Sequence, residues 1–278
     1  MPTDPDKMAY WLLKDVNRAV REYGMIADGD RVAVALSGGK DSFSLLRLLD
    51  LRRQSAAETC ELVAIHVVGD ARGPATPEHA PLLEWLAASG YEYRVEPLRL
   101  PEGEPLPLGC QRCTWNRRRV LFETAQQAGC NVVAFGHHAD DLAQTTLLNL
   151  LYHGKVETMA PRREYFDGAL RLIRPLCYTA ESDLRRFARA NAFPAPPSDC
   201  PQSDKSRRKL ARDLLKQAEQ GCQDARVNLL RAGLKGNEES EWEPRMNTDK
   251  HGQDFFFLSV FICVHLLLQV FYSIFTKL

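Results

Sequence analysis

The sequence predicts an α/β protein: an open parallel sheet with helices on both faces. Three observations carry that expectation. Short apolar runs rich in Val, Ile and Ala alternate with longer segments of helical periodicity along most of the chain. The first run, Val32–Leu36, passes through Ser37-Gly38-Gly39 directly into a helical pattern holding Phe43, Leu45, Leu46, Leu48 and Leu49. A length of 278 residues also suffices for one sizeable α/β domain with an appendage.

The elements follow in order. Met8–Tyr23 reads as an amphipathic helix, with Leu12, Val16, Ala19, Val20 and Tyr23 on one face. After the strand–turn–helix unit, Leu62–Val68 is a second buried strand. Gly69, Gly73, Pro74 and Pro77 then mark a loop before a helix at Glu78–Ser89. Tyr91–Val95 is a third strand, and Pro97–Gly109, with four prolines and two glycines, is a loop. A basic helix, Thr114–Gly129, leads to a fourth strand at Asn131–Phe135. Leu142–Tyr152 is an apolar helix, Leu170–Ile173 a short strand, and helices follow near Ser182–Asn191 and Asp204–Glu219. No internal repeat is present.

The tail differs in character. Residues 1–222 form the expected domain, 223–254 read as a polar linker without periodicity, and 255–275 are almost wholly apolar. As a helix that last stretch would run about 31 Å, enough to span a bilayer. A membrane anchor and a gene-model artefact would both produce such a tail.

Bulk chemistry narrows the setting. The formal charge is zero, with 36 basic and 36 acidic residues, so any nucleic-acid surface must be a local patch. Eight cysteines are too sparse for a disulfide scaffold in a chain this long. The N-terminus, MPTDPDK, lacks the basic and apolar regions of a secretory signal. The expected location is a reducing cytoplasm, where cysteines serve as ligands, redox groups or core residues.

Three motifs carry chemistry. In Ser37-Gly38-Gly39-Lys40-Asp41-Ser42, a glycine turn opens a helix, so backbone N–H groups converge at the positive end of its dipole. Glycine admits positive φ and close backbone approach. The serines add hydroxyls, Lys40 a cation, and Asp41 a carboxylate suited to Mg²⁺ or to fixing the loop. An ordinary βα turn would not need all six residues, and the spacing is neither that of Walker A nor of the dinucleotide-binding fingerprint. Gly136-His137-His138-Ala139-Asp140-Asp141 follows the fourth strand, and C-terminal strand ends of an open sheet face the same crevice. Its histidines and carboxylates could bind metal, move protons, or cap the next helix. Cys110-Gln111-Arg112-Cys113 is half a zinc site, a redox pair or part of a cluster. Its candidate partners are Cys200, in the proline-rich loop Pro194–Pro201, and Cys177, which follows a strand and suits a small core position. His66, inside the second strand, suits a core position as well.

Basic side chains cluster near these motifs. Arg112, Arg117, Arg118 and Arg119 flank Trp115, and Arg207, Arg208 and Lys209 follow Cys200. Such groups suit phosphate contact and base stacking, although a solvated helix face reads the same way.

Taken together, SGGKDS, the C-x-x-C before an arginine-rich helix, GHHADD, IRPLCY and ANAFPAPPSDC resemble the tRNA 2-thiocytidine synthetases of the PP-loop ATP pyrophosphatase superfamily, over roughly Met8–Gln220. The resemblance implies an adenine nucleotide alpha-hydrolase-like fold and an ATP-dependent tRNA sulfurtransferase. It implies ATP at Ser37, Gly38, Gly39, Lys40, Asp41 and Ser42, with Gly136, His137, Asp140 and Asp141 completing the ATP and Mg²⁺ site. Cys110, Cys113 and Cys200 would hold a [4Fe-4S] cluster with one iron free of protein ligands. The implied reaction adenylates the C2 oxygen of an anticodon-loop cytidine and replaces it with sulfur, with Lys40, Asp41 and the three cysteines catalytic. Implied partners are tRNA, through its anticodon region, a sulfur donor such as a cysteine desulfurase, and a second copy in a homodimer. One departure stands out: the family often has C-x-x-C in the later loop, whereas here Pro197-Ser198-Asp199 precede a single Cys200. Lysidine synthetases share the nucleotide loop without these cysteines. The alternatives are therefore a persulfide-type thiolase, a lysidine-synthetase-like ligase, or a non-catalytic nucleotide- or cluster-sensing protein.

Overall fold

The computed structural model describes residues 4–74, 79–195 and 207–242. Its centre is a six-stranded sheet of order β3-β2-β1-β4-β6-β5. The strands are β1 (Asp30–Ala35), β2 (Cys60–Val68), β3 (Glu92–Pro97), β4 (Val132–Ala134), β5 (Arg162–Tyr165) and β6 (Leu170–Ile173). All neighbours pair in parallel except β5, which pairs antiparallel with β6 at the edge. The expected parallel architecture is present. The edge hairpin is an addition, and β5 escaped the sequence because RREY carries no apolar alternation.

Successive connections run outward from β1 to β2 and β3 on one side, and from β4 to β6 on the other. The strand order thus reverses between β1 and β4, whose C-terminal ends diverge into a crevice. Register fixes this junction: Val32 pairs with Val132 and Val34 with Ala134.

Two hydrophobic layers sandwich the sheet. Alternation along β1 sends Val32 and Val34 to one face and Ala33 to the other. The larger layer packs α1 (Pro5–Glu22), α2 (Lys40–Arg53), α3 (Ala80–Ser89), α5 (Ala139–His153) and α6 (Glu181–Ala190) against the sheet. The opposite layer is closed chiefly by α4 (Cys110–Gln127), through Val120, Leu121 and Ala125. Helix α2 is buried on nearly all sides. Its Phe43 meets Trp85 edge-on at 4.9 Å and stacks on Phe193 at 5.4 Å between ring centroids. The turn between β1 and α2 therefore stands on a helix that is buried along most of its length.

The segment after residue 222 departs from the expected linker. After α7 (Arg207–Gly221), Ala225–Trp242 forms a further helix, α8, which packs on α5 and α7. Leu230 is buried, and Leu229 and Leu234 lie against the main core. Glycine allows the contact. A Cβ on Gly233 would meet Thr146 Oγ1 at 2.1 Å, and one on Gly236 would meet the Val156 carbonyl at 1.6 Å. The same glycines weaken helix propensity, which explains why the periodicity reads poorly. Cys200 and the apolar stretch 255–275 lie outside the described residues. Among the described residues no helix is long and apolar enough to cross a membrane.

Candidate active site

The β1–α2 turn is held in shape by its own serines. Gly38 takes φ +85°, a left-handed conformation that disfavours any side chain. The Ser42 hydroxyl donates to the Gly39 carbonyl at 2.8 Å and accepts from the Ser37 N–H at 3.2 Å. Gly39 is the N-cap of α2 and supplies no side-chain cap. The Ser42 N–H returns to the Gly39 carbonyl at 3.1 Å, which leaves the Lys40 and Asp41 N–H groups for an anion at the positive helix end.

The loop after β4 abuts this turn. A Cβ on Gly136 would lie 3.1 Å from the Asp41 carbonyl carbon and oxygen and 3.2 Å from the Ser42 nitrogen. A side chain here would press the two loops apart by a few tenths of an ångström. Both then line a single cavity of about 530 Å³. Ala35, Leu36, Ile65, Val67, Leu121 and Phe135 make an apolar slot, while Ser37, Asp41, Ser42 and Asp141 make a polar end. Cys113, Thr114, Arg117 and Arg118 line it from α4, Arg208 from α7, and Gly136 and His137 from the loop after β4. Helix α4 starts one turn earlier than periodicity suggested, so Cys110 and Cys113 both occupy its first turn. Cys110 is exposed at the same helix end.

Carboxylates at the polar end take two different roles. Asp41 has one oxygen 3.0 Å from Lys40 Nζ, and its other oxygen is buried with no hydrogen-bond partner among the described residues. Asp141 accepts the His138 N–H at 3.1 Å and so caps α5, while its side chain still lines the cavity. Asp140 is turned away from the cavity and fully buried. It accepts the Glu181 N–H at 2.8 Å, capping α6, and pairs with Arg226 of α8. Of the two aspartates expected at the nucleotide, Asp141 lines the cavity and Asp140 is a strut between helices.

Lys40 is also tied down. Its ammonium lies 3.0 Å from Glu181 Oε1 as well as 3.0 Å from Asp41. Burial works to lower its pKa, but these two carboxylates outweigh that and raise it. For Glu181, burial works upward, and the Lys40 hydrogen bond and charge pull the pKa down to about 2. Nothing local in the sequence marks Glu181 as the partner of a residue so distant in the chain.

A basic wall faces the loops. Arg174, just after β6, donates from Nε to His137 Nδ1 at 3.3 Å and to the Ala160 carbonyl. Burial, then the charges of Arg174, Arg208 and Arg118, hold His137 well below its ordinary pKa, so the ring is neutral. Burial and the Arg118 charge bring Arg174 itself down to about 10. The broader arginine patch expected around Trp115 is mostly committed elsewhere. Arg112 pairs with Glu104, Arg117 donates to the Val67 and Gly69 carbonyls, and Arg119 to the Arg99 carbonyl. Arg117 and Arg118 both line the cavity and neither makes an ion pair with a described residue; Arg117 is held by those two carbonyls, whereas Arg118 lies over the Phe135 ring at 5.7 Å. Cys177, the other candidate third thiol, is fully buried, and burial pushes its thiol up to about 12. It is a core residue. His66, expected in the core, is buried there, its Nδ1 2.8 Å from the Leu36 carbonyl.

By fold and site, this is a phosphate cradle at the switch point of a doubly wound sheet, with a two-cysteine helix start on the opposite wall. Comparison with known proteins sharpens the class. A family model described as a PP-loop domain matches residues 12–218. A tRNA-cytidine(32) 2-sulfurtransferase from Shigella dysenteriae is 38% identical over 220 residues, covering 76% of this chain and 69% of that protein. One of the same name from Photorhabdus laumondii is 37% identical over 221 residues, covering 76% and 70%. Among solved structures, the U34-tRNA thiolase NcsA from Methanococcus maripaludis with its [4Fe-4S] cluster superposes with TM-score 0.68 at 21% identity, covering 90% of this chain and 86% of that one. The chain belongs to the PP-loop family and, within it, to the tRNA-cytidine 2-sulfurtransferase family.

Proposed function

We propose that the protein is an ATP-dependent tRNA sulfurtransferase that converts an anticodon-loop cytidine to 2-thiocytidine. The observation that carries this reading is the shared cavity: the phosphate-binding loop and Cys113 line one space. The names of the relatives support the substrate class.

The adenine takes the apolar slot between the strand ends and α4, and the pyrophosphate portion of ATP takes the α2 N-terminus. Asp41 and Asp141 suit Mg²⁺, which accepts one or two carboxylates together with phosphate oxygens. The buried unpartnered oxygen of Asp41 fits that assignment. Bound there, Mg²⁺ would neutralise developing phosphate charge. The C2 oxygen of cytidine attacks the α-phosphorus and pyrophosphate leaves. The loop N–H groups and Lys40 stabilise charge on the departing group. Sulfur at the sulfide level then attacks C2, and the C2–O bond breaks, so that the former C2 oxygen departs as part of AMP.

Cys110 and Cys113, both in the first turn of α4, are suited to two iron positions of a [4Fe-4S] cluster, with Cys200 as the third ligand. A cluster held by three cysteines would supply an open iron for exogenous sulfur delivered by a donor such as a cysteine desulfurase. The functional unit extends through α8 rather than ending at residue 222.

Two measurements test the reading. Full-length protein purified without oxygen should hold about four irons and matching acid-labile sulfide, lost on Cys200→Ala. Zinc, or no metal, favours a persulfide thiolase. Cellular tRNA from a strain whose sole copy carries Cys110→Ser should lack 2-thiocytidine, and normal levels would falsify the assignment.

A further inference from the structure

We infer that Arg118 and Arg208 form a second phosphate subsite, separate from the nucleotide loop, which takes a backbone phosphodiester of the RNA substrate. The inference rests on the function proposed above and adds where the RNA is gripped.

Both guanidiniums line the cavity, one from α4 and one from α7. Neither makes an ion pair with a described residue, although Arg112, Arg162, Arg171 and Arg185 all find carboxylates. Two unneutralised cations converging on one cavity repel each other unless an anion joins them. A third, Arg174, is hydrogen-bonded to His137 at 3.3 Å, and burial of the ring, then the charges of these three arginines, hold His137 well below its ordinary pKa. Neutral His137 is then an acceptor that holds the Arg174 fork in place. Phe135, stacked on His137 with ring centroids 5.6 Å apart, lies beneath Arg118 at 5.7 Å. That aromatic floor limits where the Arg118 guanidinium can go.

The occupant follows from what the rest of the cavity leaves over. The apolar slot and the α2 N-terminus account for the adenine and the pyrophosphate portion of ATP. A nucleotide bringing its base to the α-phosphorus also brings a flanking phosphodiester. Positive charge continues from Arg208 along α7 in Arg212, while Lys209 is paired with Asp213 at 2.9 Å, and Arg207 lies 4.4 Å from the Tyr152 ring. A basic surface running outward from the cavity suits a polyanion that enters along α7. A nucleoside triphosphate confined to the crevice would not reach it.

The test uses full-length protein, an anticodon stem-loop RNA and MgATP. Arg118→Gln and Arg208→Gln are each compared with the parent by fluorescence anisotropy across a salt series, and ATP binding is measured by calorimetry. Each variant should bind RNA about tenfold more weakly, with the log–log salt slope reduced by about 0.7–0.9, one phosphate contact. Affinity for ATP should stay within about twofold of the parent, which also reports an intact fold. An unchanged salt slope overturns the inference. So does a loss of ATP affinity with RNA binding intact, which would give the arginines to the nucleotide. Because binding is read without turnover, a parent that binds RNA but makes no 2-thiocytidine refutes the reaction and leaves the subsite standing.

Discussion

Gly136 separates two loops by the width of a missing methyl group, and that single absence sets the cavity. A Cβ there would press on backbone atoms of Asp41 and Ser42 that are anchored in α2 and cannot rotate aside. Gly136→Ala is expected to cost about 1–3 kcal/mol of overpacking strain, expressed mainly as lost ATP affinity. Calorimetry on the variant checks this; ATP affinity equal to the parent's would mean the loops part freely. The cysteines divide just as sharply. Cys113→Ser should abolish iron binding with little change in melting temperature. Cys177→Ala should lower stability by about 1–2 kcal/mol through the cavity it leaves, with iron content unchanged. Iron lost from the Cys177 variant would move the third ligand from Cys200 to the core. These roles were half legible beforehand. C-x-x-C is contiguous and announces itself, whereas the burial that disqualifies Cys177 belongs to the packed molecule.

At the scale of the element, α8 carries the greatest revision. Its apolar residues are few, and two glycines interrupt them, so local propensity argues against the helix that packing creates. Gly233→Ala would drive a methyl group into Thr146 and Thr158. A loss of about 1–3 kcal/mol in urea denaturation is expected, while the same change at Gly129, where nothing lies within 4 Å, should show only backbone strain. Truncation after residue 222 goes further. It removes Arg226 and strands the buried Asp140 carboxylate that caps α6. Such a loss costs about 3 kcal/mol or more, so the shortened chain should unfold at markedly lower urea. Equal midpoints would show that α8 contributes nothing to the domain. The edge strand β5 was missed for the opposite reason. Its charged residues sit on an exposed edge, where no apolar alternation is required.

Across the whole molecule, Lys40 and Glu181 tie the nucleotide loop to α6, joining parts of the chain that are far apart in sequence. Glu181 titrates near 2 when folded, against an ordinary value of 4.5. As pH falls, the unfolded chain therefore takes up this proton first. The stabilisation is complete above pH 4.5 and drains away as pH approaches 2. Relative to the parent, Glu181→Gln should be less stable at neutral pH, and the gap in urea midpoint should close on acidification. A gap that stays constant with pH would show that the ion pair adds no stability. Salt should weaken the pair only modestly, because both side chains are about one-third exposed or less.

The sequence by itself determined the parallel strands of the sheet, the nucleotide loop, the β4 loop and the paired cysteines. Each of these is written in adjacent residues whose periodicity or conformational demands are local. Tertiary structure alone decided the remainder: that Asp140 braces helices while Asp141 faces the cavity, that Glu181 answers Lys40, and that Arg118, Arg174 and Arg208 converge on His137. It also decided which arginines stay unpaired and that α8 completes the domain. The physical reason is the same in every case. Those outcomes depend on charges and surfaces brought together from distant positions, and neither propensity nor spacing along the chain encodes such a meeting.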